Sequence, residues 1–211
     1  MTVAARIAPY TADYPGQNGR DPYPRNIALV GFSTTGKSTV AHLLADRLGW
    51  SAVDTDALVV SLAGRPITDI FRREGEAAFR ARETAALTGA LAGHGKVVAT
   101  GGGIVTQAVN RDLLRARSLI VCLAAEPLTI LKRLERAAES EPRPLLKAAD
   151  PLARIHELLA ERRAAYAQAD LTITTDNLTP PQVAQEILHR LIAADLMPDL
   201  VLSPQEVIDD V

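Results

Sequence analysis

The chain has 211 residues, which is enough for one α/β domain with a substantial core and short for two such domains. Hydrophobic residues make up 47% and charged residues 23%, ordinary values for a globular protein that argue against disorder of the whole chain. The formal net charge of −2 gives no broad attraction to nucleic acids or anionic membranes, so we expect neither as a partner.

The two ends of the chain differ in composition from its middle. Residues 1–25 contain four prolines and show no hydrophobic period, which predicts a flexible N-terminal arm. This arm has no apolar signal-peptide core and carries Asp13 and Asp21, so we expect a cytoplasmic location. Residues 196–211 contain acidic side chains and no Lys or Arg, which predicts an acidic tail. The single cysteine, Cys122, excludes an internal disulfide.

Between these ends, in residues 26–195, short apolar runs alternate with segments of helical periodicity. The predicted strands are 27–30, 51–54, 96–100, 118–123 and 171–174. The predicted helices are 37–48, two or three within 57–92 that are interrupted at Gly64-Arg65-Pro66 and Gly75, and then 107–115, 127–138, 151–168 and 180–195. The polar segment 139–150 predicts an exposed loop. Five strands alternating with helices predict an α/β three-layer sandwich around a parallel sheet.

A phosphate-binding motif follows the first predicted strand. Gly31–Ser38 matches G-x-x-x-x-G-K-[ST] and opens the first predicted helix. Glycines allow backbone N–H groups to turn inward, and the helix N-terminus adds partial positive charge. Lys37 can then reach the β- and γ-phosphates of ATP, and Ser38 can ligate Mg²⁺. The candidate nucleotide-binding residues of this segment are Ser33, Thr34, Thr35, Gly36, Lys37, Ser38 and Thr39.

Two aspartates, Asp54 and Asp56, stand at the carboxyl end of the second predicted strand. Ligands of open α/β sheets bind at this edge. Phosphoryl transfer to a hydroxyl needs Mg²⁺ near the phosphates and a carboxylate facing the acceptor, and this pair suits both needs. The alternative is a pair of surface aspartates, and the phosphate motif alone leaves kinase, GTPase and motor ATPase open.

Further motifs resemble the pattern of the shikimate kinase family. They are the segment 71–83 (FRREGEAAFRARE), Gly101–Gly103 after a strand, Arg143-Pro144-Leu145-Leu146 in the proline-bearing loop, and Arg162 four residues before Tyr166. Together with the phosphate motif and the aspartate pair, the resemblance covers residues 26–192. It implies ATP-dependent phosphorylation of the 3-hydroxyl of shikimate. It also implies a nucleoside-monophosphate-kinase-like fold with strand order 2-3-1-4-5 and a mobile lid at about 139–150.

The resemblance also implies roles for residues on the acceptor side. Asp56 would hold the hydroxyls of shikimate and accept or orient the proton. Arg80 and Arg162 would bind the substrate carboxylate, because a planar guanidinium suits a carboxylate. Gly101–Gly103 would bring backbone N–H groups close to the substrate, and Glu83 would orient Arg80.

On the nucleotide side, the resemblance implies that Asp54 contacts Mg²⁺ and that Lys37 is catalytic. Arg143, in the lid, would close over the phosphates and act in catalysis. Arg136 and the Thr179-Pro180 turn would contact adenine.

Each of these motifs has an ordinary structural alternative. Arg80 and Glu83 lie three residues apart and could form a surface helix pair. Gly101–Gly103 could be only a tight turn, and either Arg133 or Arg136 could be a surface charge.

Two departures from the family pattern leave other substrates open. Ala164-Ala165 stand where the family usually has a proline-containing stretch, and His42 stands where it often has a basic residue. The alternatives are a kinase of another small polyol acid, such as gluconate, and a non-catalytic nucleotide-binding module. We expect the protein to act as a monomer on small molecules.

Overall fold

Five short parallel strands form one sheet in the computed structural model, which describes residues 26–138, 146 and 148–196. The strands are β1 (Asn26–Gly31), β2 (Ser51–Asp54), β3 (Lys96–Ala99), β4 (Leu119–Ala124) and β5 (Leu171–Thr174). Their order in the sheet is β2-β3-β1-β4-β5, and each neighbouring pair is parallel. The predicted five-stranded parallel sheet and the order implied by the family resemblance are both confirmed.

Helices connect the strands and cover both faces of the sheet. They are α1 (Lys37–Leu48), α2 (Thr55–Ala63), α3 (Ile67–Ala90), α4 (Ala108–Arg117), α5 (Pro127–Ala138), α6 (Pro151–Tyr166) and α7 (Pro180–Ala193), with a 3₁₀ turn at Ile104–Thr106. Helix α3 is interrupted at Gly75, whose φ of 81° and ψ of 176° are not helical. Helix α2 begins at Thr55 rather than at 57, because the Asp54 side chain caps its first turn.

The alternation of side chains along β1 explains the three layers. Ile27 and Leu29 point to the face covered by α1 and α7, while Ala28 and Val30 point to the face covered by α3, α4 and the end of α6. All four are at most 1% exposed. A strand buried on both faces is an uninterrupted apolar run, which is what the sequence shows here. Cys122 is buried in β4, and burial raises the pKa of its thiol to about 11.

The carboxyl ends of the strands meet at one edge of the sheet. Asp54 at the end of β2 is paired with Ala99 at the end of β3, and Ala99 is also paired with Leu29 of β1. The segments that follow these three strands are therefore neighbours, although they are far apart in the sequence. They are the glycine-rich loop after β1, the start of α2, and Gly101–Gly103.

Several predicted segments fall outside the described residues. They are the arm at 1–25, residues 139–145 and 147 of the predicted lid, and residues 197–211 of the predicted tail. Arg143 lies in the second of these. Leu196, the first residue of the predicted tail, is described; it packs against the core and its N–H donates to the Leu191 carbonyl at 2.9 Å. Over the described part of the chain, no helix combines the length and apolar character required to cross a membrane.

Candidate active site

The loop between β1 and α1 adopts a backbone that glycine permits. Gly31 has a φ of 139°, and a Cβ there would lie 2.3 Å from the backbone oxygen of Leu123. Gly36 has a φ of 91° and precedes the first residue of α1. Thr34 also has a positive φ, of 64°. The loop thus curls tightly over the end of β1 and presents the N-terminus of α1.

Lys37 is held inside this loop. Its side chain is buried, and Nζ donates to the Phe32 carbonyl at 2.6 Å. Burial lowers the pKa of Lys37 to about 8, and the carboxylates of Asp56 and Asp54 oppose this shift. The ammonium group is therefore close to both carboxylates and already points into the curl of the loop. A phosphate group bound there would favour its protonated form.

Ser38 and Asp54 bring two side-chain oxygen atoms together beside the phosphate loop. The Ser38 hydroxyl donates to Asp54 Oδ2 at 2.5 Å. The other carboxylate oxygen, Oδ1, accepts from the N–H groups of Asp56 and Ala57 at 2.9 and 3.2 Å. One oxygen of Asp54 thus fixes the start of α2, while the other stays beside the hydroxyl. Oxygen ligands of this kind suit Mg²⁺.

Asp56 lies one residue inside α2 and has an unusual protonation equilibrium. Burial raises the pKa of Asp56 to about 6, and the nearby carboxylates of Asp54 and Glu83 add to the increase. The positive charges of Lys37 and Arg80 oppose it. A carboxylate with a pKa close to neutrality is suited to accept a proton and to release it again.

Gly101 lies close to the side chains of Asp56 and Glu83. Its N–H donates to the buried Thr55 hydroxyl at 3.0 Å. A Cβ on Gly101 would lie 2.6 Å from Asp56 Oδ1 and 2.9 Å from Glu83 Oε1. The two carboxylates therefore converge on the backbone of the turn after β3, and a side chain at Gly101 would displace them.

Arg80 and Glu83 are joined across one turn of α3. Arg80 Nη1 donates to Glu83 Oε2 at 2.8 Å, and Arg80 Nη2 donates to Glu76 Oε1 at 3.0 Å. Glu83 is 1% exposed, so the pair is not the ordinary surface pair that the spacing also allowed. Burial raises the pKa of Glu83, and the positive charges of Arg80 and Arg162 oppose that increase. The Arg80 guanidinium lies against Gly103, where a Cβ would come within 2.7 Å of Nη1.

Arg162 reaches the same turn from α6. Its Nη1 donates to the Gly102 carbonyl at 3.0 Å, and its guanidinium lies 5.3 Å from the centre of the Phe32 ring. Its neighbour Arg163 is exposed. Tyr166, one helical turn further on, donates its hydroxyl to the same carbonyl at 3.1 Å. The sequence predicted Arg162 but no role for Phe32 or Tyr166, although the four-residue spacing from Arg162 to Tyr166 was the signal available.

The predicted adenine end is organised by a different arginine. Arg133 donates to the Thr175 hydroxyl at 2.9 Å and to the Thr175 carbonyl at 2.7 Å, so it ties α5 to the segment after β5. Arg136 is exposed in the last turn of α5. Pro180 is exposed at the start of α7, where Thr179 and Gln182 form a capping box. Arg133 therefore serves the fold, and Arg136 stays the candidate for adenine.

These parts define a class of protein: a P-loop kinase that phosphorylates a small molecule. A phosphate loop and its lysine lie beside a carboxylate of raised pKa, and two arginines lie beyond that carboxylate. A family profile for shikimate kinase matches residues 33–192. By this match and by the similarities that follow, the chain belongs to the shikimate kinase family, and it is an ATP-dependent kinase.

Two relatives and one solved structure illustrate the similarity. The chain is 46% identical over 167 residues to shikimate kinase of Symbiobacterium thermophilum, covering 79% of this chain and 95% of that protein. It is 47% identical over 163 residues to shikimate kinase of Geobacter sulfurreducens, covering 77% and 88%. The structure of shikimate kinase from Acinetobacter baumannii in complex with shikimate matches with a TM-score of 0.75 and 36% identity, covering 82% of this chain and 96% of that one.

Proposed function

We propose that the chain transfers the γ-phosphoryl group of ATP to the 3-hydroxyl of shikimate, giving shikimate 3-phosphate and ADP. This reaction belongs to the route to chorismate and the aromatic amino acids. The observation that carries the proposal is the contact between the two halves of the site. A Cβ on Gly102 would lie 3.2 Å from the backbone nitrogen of Ser33, so the turn that faces the acceptor packs directly on the phosphate loop.

Asp56 is the proposed proton acceptor. The hydroxyl oxygen of the substrate attacks the γ-phosphorus, and its proton passes to the Asp56 carboxylate. The bond between the γ-phosphorus and the β–γ bridging oxygen breaks, and that oxygen leaves as part of ADP. Lys37 would neutralise charge on the phosphoryl oxygens as this happens, because its ammonium group already lies in the loop.

Arg80 and Arg162 are the proposed ligands of the substrate carboxylate. Both guanidinium groups border the Gly102–Gly103 peptide, one at the Gly102 carbonyl and the other at the Gly103 Cα. Glu83 keeps Arg80 in place through a partly buried hydrogen bond. Two planar guanidinium groups at a fixed separation would orient the ring of the substrate, so that one hydroxyl faces Asp56.

The oxygen pair of Ser38 and Asp54 is the proposed protein contribution to a magnesium site. A Mg²⁺ ion bound there would offset the negative charge of the β- and γ-phosphates. The segment Ser33–Thr39 would surround the phosphates with backbone N–H groups. Arg136 and Pro180 would flank adenine, and Arg143 would close over the phosphates from the lid at 139–150.

A competition between acceptors tests the proposal. Production of ADP, measured by a coupled assay with shikimate, quinate and gluconate, is expected to give the largest kcat/KM for shikimate. No turnover of shikimate above that of the other two acids would overturn it. Binding of ATP without turnover of any acid would instead favour a nucleotide-binding module.

We also propose that residues 26–195 form one kinase domain, flanked by the arm and the tail, and that the protein acts as a monomer in the cytoplasm. Size-exclusion chromatography with light scattering tests the monomer. A mass of about 22.6 kDa is expected from the sequence, and a value of twice that would contradict it.

A further inference from the structure

We propose that Tyr166 is a positioning residue for the acceptor: it holds the Gly102 carbonyl and thereby fixes the peptide that separates the two carboxylate-binding arginines. The inference rests on the proposed function, because it concerns how the shikimate carboxylate is received. It adds a residue for which neither the sequence motifs nor the chemistry at Asp56 required a role.

The first support is the convergence of two donors on one carbonyl. Arg162 Nη1 and the Tyr166 hydroxyl donate to Gly102 O at 3.0 and 3.1 Å. They can do so together because residues four apart lie on the same face of α6. A carbonyl oxygen has two lone pairs, so its accepting capacity is filled. The Gly102 carbonyl is thus held from α6 by two separate side chains.

The second support is the direction of the peptide group. The peptide bonds of the described residues are all trans, so the N–H of Gly103 points away from the Gly102 carbonyl. The carbonyl faces Arg162 and Tyr166, while the Cα of Gly103 lies against the guanidinium of Arg80. Rotation of this one peptide would therefore move its N–H group and change the space between the two arginines. Glycines on both sides offer little resistance to such a rotation, so the restraint has to come from outside the turn.

The third support is the difference between the two donors. In the proposed function Arg162 turns donors toward the substrate carboxylate, whereas the Tyr166 hydroxyl, which also interacts with Arg162, does not contact the substrate. The tyrosine ring packs against the apolar cluster that includes Ile120 and Cys122, which fixes the hydroxyl in place. Burial raises the pKa of Tyr166 to about 12, so the hydroxyl stays a neutral donor over the pH range in which enzymes are assayed. The Gly102 carbonyl would keep this partner while Arg162 binds the substrate.

The test compares Tyr166→Phe with a matched control, Ser118→Ala. The Ser118 hydroxyl also donates to a backbone carbonyl, that of Leu114 at 2.8 Å. Ser118 precedes β4, however, and therefore lies at the amino ends of the strands, away from the site. Each variant loses one hydroxyl–carbonyl hydrogen bond. The readouts are KM for shikimate, KM for ATP, kcat and the melting temperature.

We expect Tyr166→Phe to raise KM for shikimate by about threefold to tenfold, the usual effect of one lost hydrogen bond, with KM for ATP unchanged. Ser118→Ala is expected to change neither KM. An unchanged KM for shikimate in Tyr166→Phe would overturn the inference. So would an equal rise of both KM values accompanied by a lower melting temperature, because that pattern indicates a structural role only. Failure of the proposed function itself is distinct, since the unaltered protein would then not turn over shikimate.

Discussion

The two sides of the site are built in different ways. The phosphate side, Gly31–Ser38, consists of consecutive residues and would bind phosphate largely through backbone N–H groups and the start of a helix. The acceptor side takes its groups from α2, α3, the turn after β3, and α6; they are Asp56, Arg80, Glu83, Gly101–Gly103 and Arg162. The phosphate side is thus a local structure, whereas the acceptor side exists only once the sheet and its helices have assembled.

The glycines show this difference most clearly. On the phosphate side, a side chain at Gly31 would meet backbone, the Leu123 oxygen, which cannot move without the sheet. On the acceptor side, a side chain at Gly103 would meet the end of Arg80, which can move. Substitution of Gly31 should therefore change the stability of the fold, and substitution of Gly103 should change binding of the acceptor.

The largest effect is expected for Asp56→Asn on the acceptor side. Loss of the proton acceptor should lower kcat by about 10² to 10⁴, with little change in KM for ATP. The melting temperature should not fall, because the substitution removes a buried charge that Asp54 and Glu83 repel. Steady-state kinetics and a thermal melt measure both quantities. A kcat equal to that of the unaltered protein would remove Asp56 from its proposed role.

The next largest effect is expected for Gly31→Ala on the phosphate side. The φ of 139° is strained for alanine, which costs about 1 to 3 kcal/mol, and the contact with the Leu123 oxygen adds to that cost. Chemical denaturation should show a lower free energy of unfolding. Gly89→Ala in α3 is the matched control, since a Cβ there meets nothing within 4 Å. Equal stability of the two variants would contradict the conclusion that the backbone around Gly31 leaves no room for a side chain.

The expected dependence of activity on pH involves one titrating group from each side of the site. Asp56, with a pKa of about 6, must be ionised to accept a proton, so kcat/KM should rise as the pH increases through about 6. Lys37, with a pKa of about 8 in the nucleotide-free protein, must be protonated to neutralise phosphate charge, so kcat/KM for ATP should fall as the pH increases through about 8. The expected profile of kcat/KM is a bell with its maximum near pH 7. In Asp56→Asn the residual activity should lose the acidic limb; an unaltered acidic limb would assign it to another group.

The phosphate side could be predicted from the sequence because its chemistry lies in one contiguous motif. The strand β1 and the loop after it are neighbours in the chain, so an apolar run followed by the glycine pattern sufficed. Helix α2 begins two residues earlier than predicted because Asp54 has two roles. One of its oxygens caps the helix and the other meets Ser38, whereas the family resemblance implied only a contact with Mg²⁺.

Apart from Asp56, which its position after the second strand indicated, the acceptor side could be predicted only through the family resemblance, because its contacts join distant residues. The sequence could not show that Glu83 is buried against the Gly101 backbone, or that Tyr166 bonds to Gly102. From the residues alone either Arg133 or Arg136 could be a surface charge, and the sequence could not show that Arg133 bonds to Thr175. Spacing along a helix identifies residues that share a face, but it does not identify what that face contacts.

The smallest expected effect is that of Gly103→Ala. This variant tests most directly whether the acceptor side differs from the phosphate side. Gly103 has a φ of −98°, which alanine adopts without strain, so the free energy of unfolding should stay close to that of the unaltered protein. The new methyl carbon would lie 2.7 Å from Arg80 Nη1 and would therefore displace the guanidinium, so KM for shikimate should rise by about threefold to tenfold, the range of one weakened hydrogen bond. KM for ATP should not change. A loss of stability as large as that of Gly31→Ala, with an unchanged KM for shikimate, would show that the backbone also leaves no room for a side chain in the turn after β3. The two sides of the site would then not differ in the way that their glycines indicate.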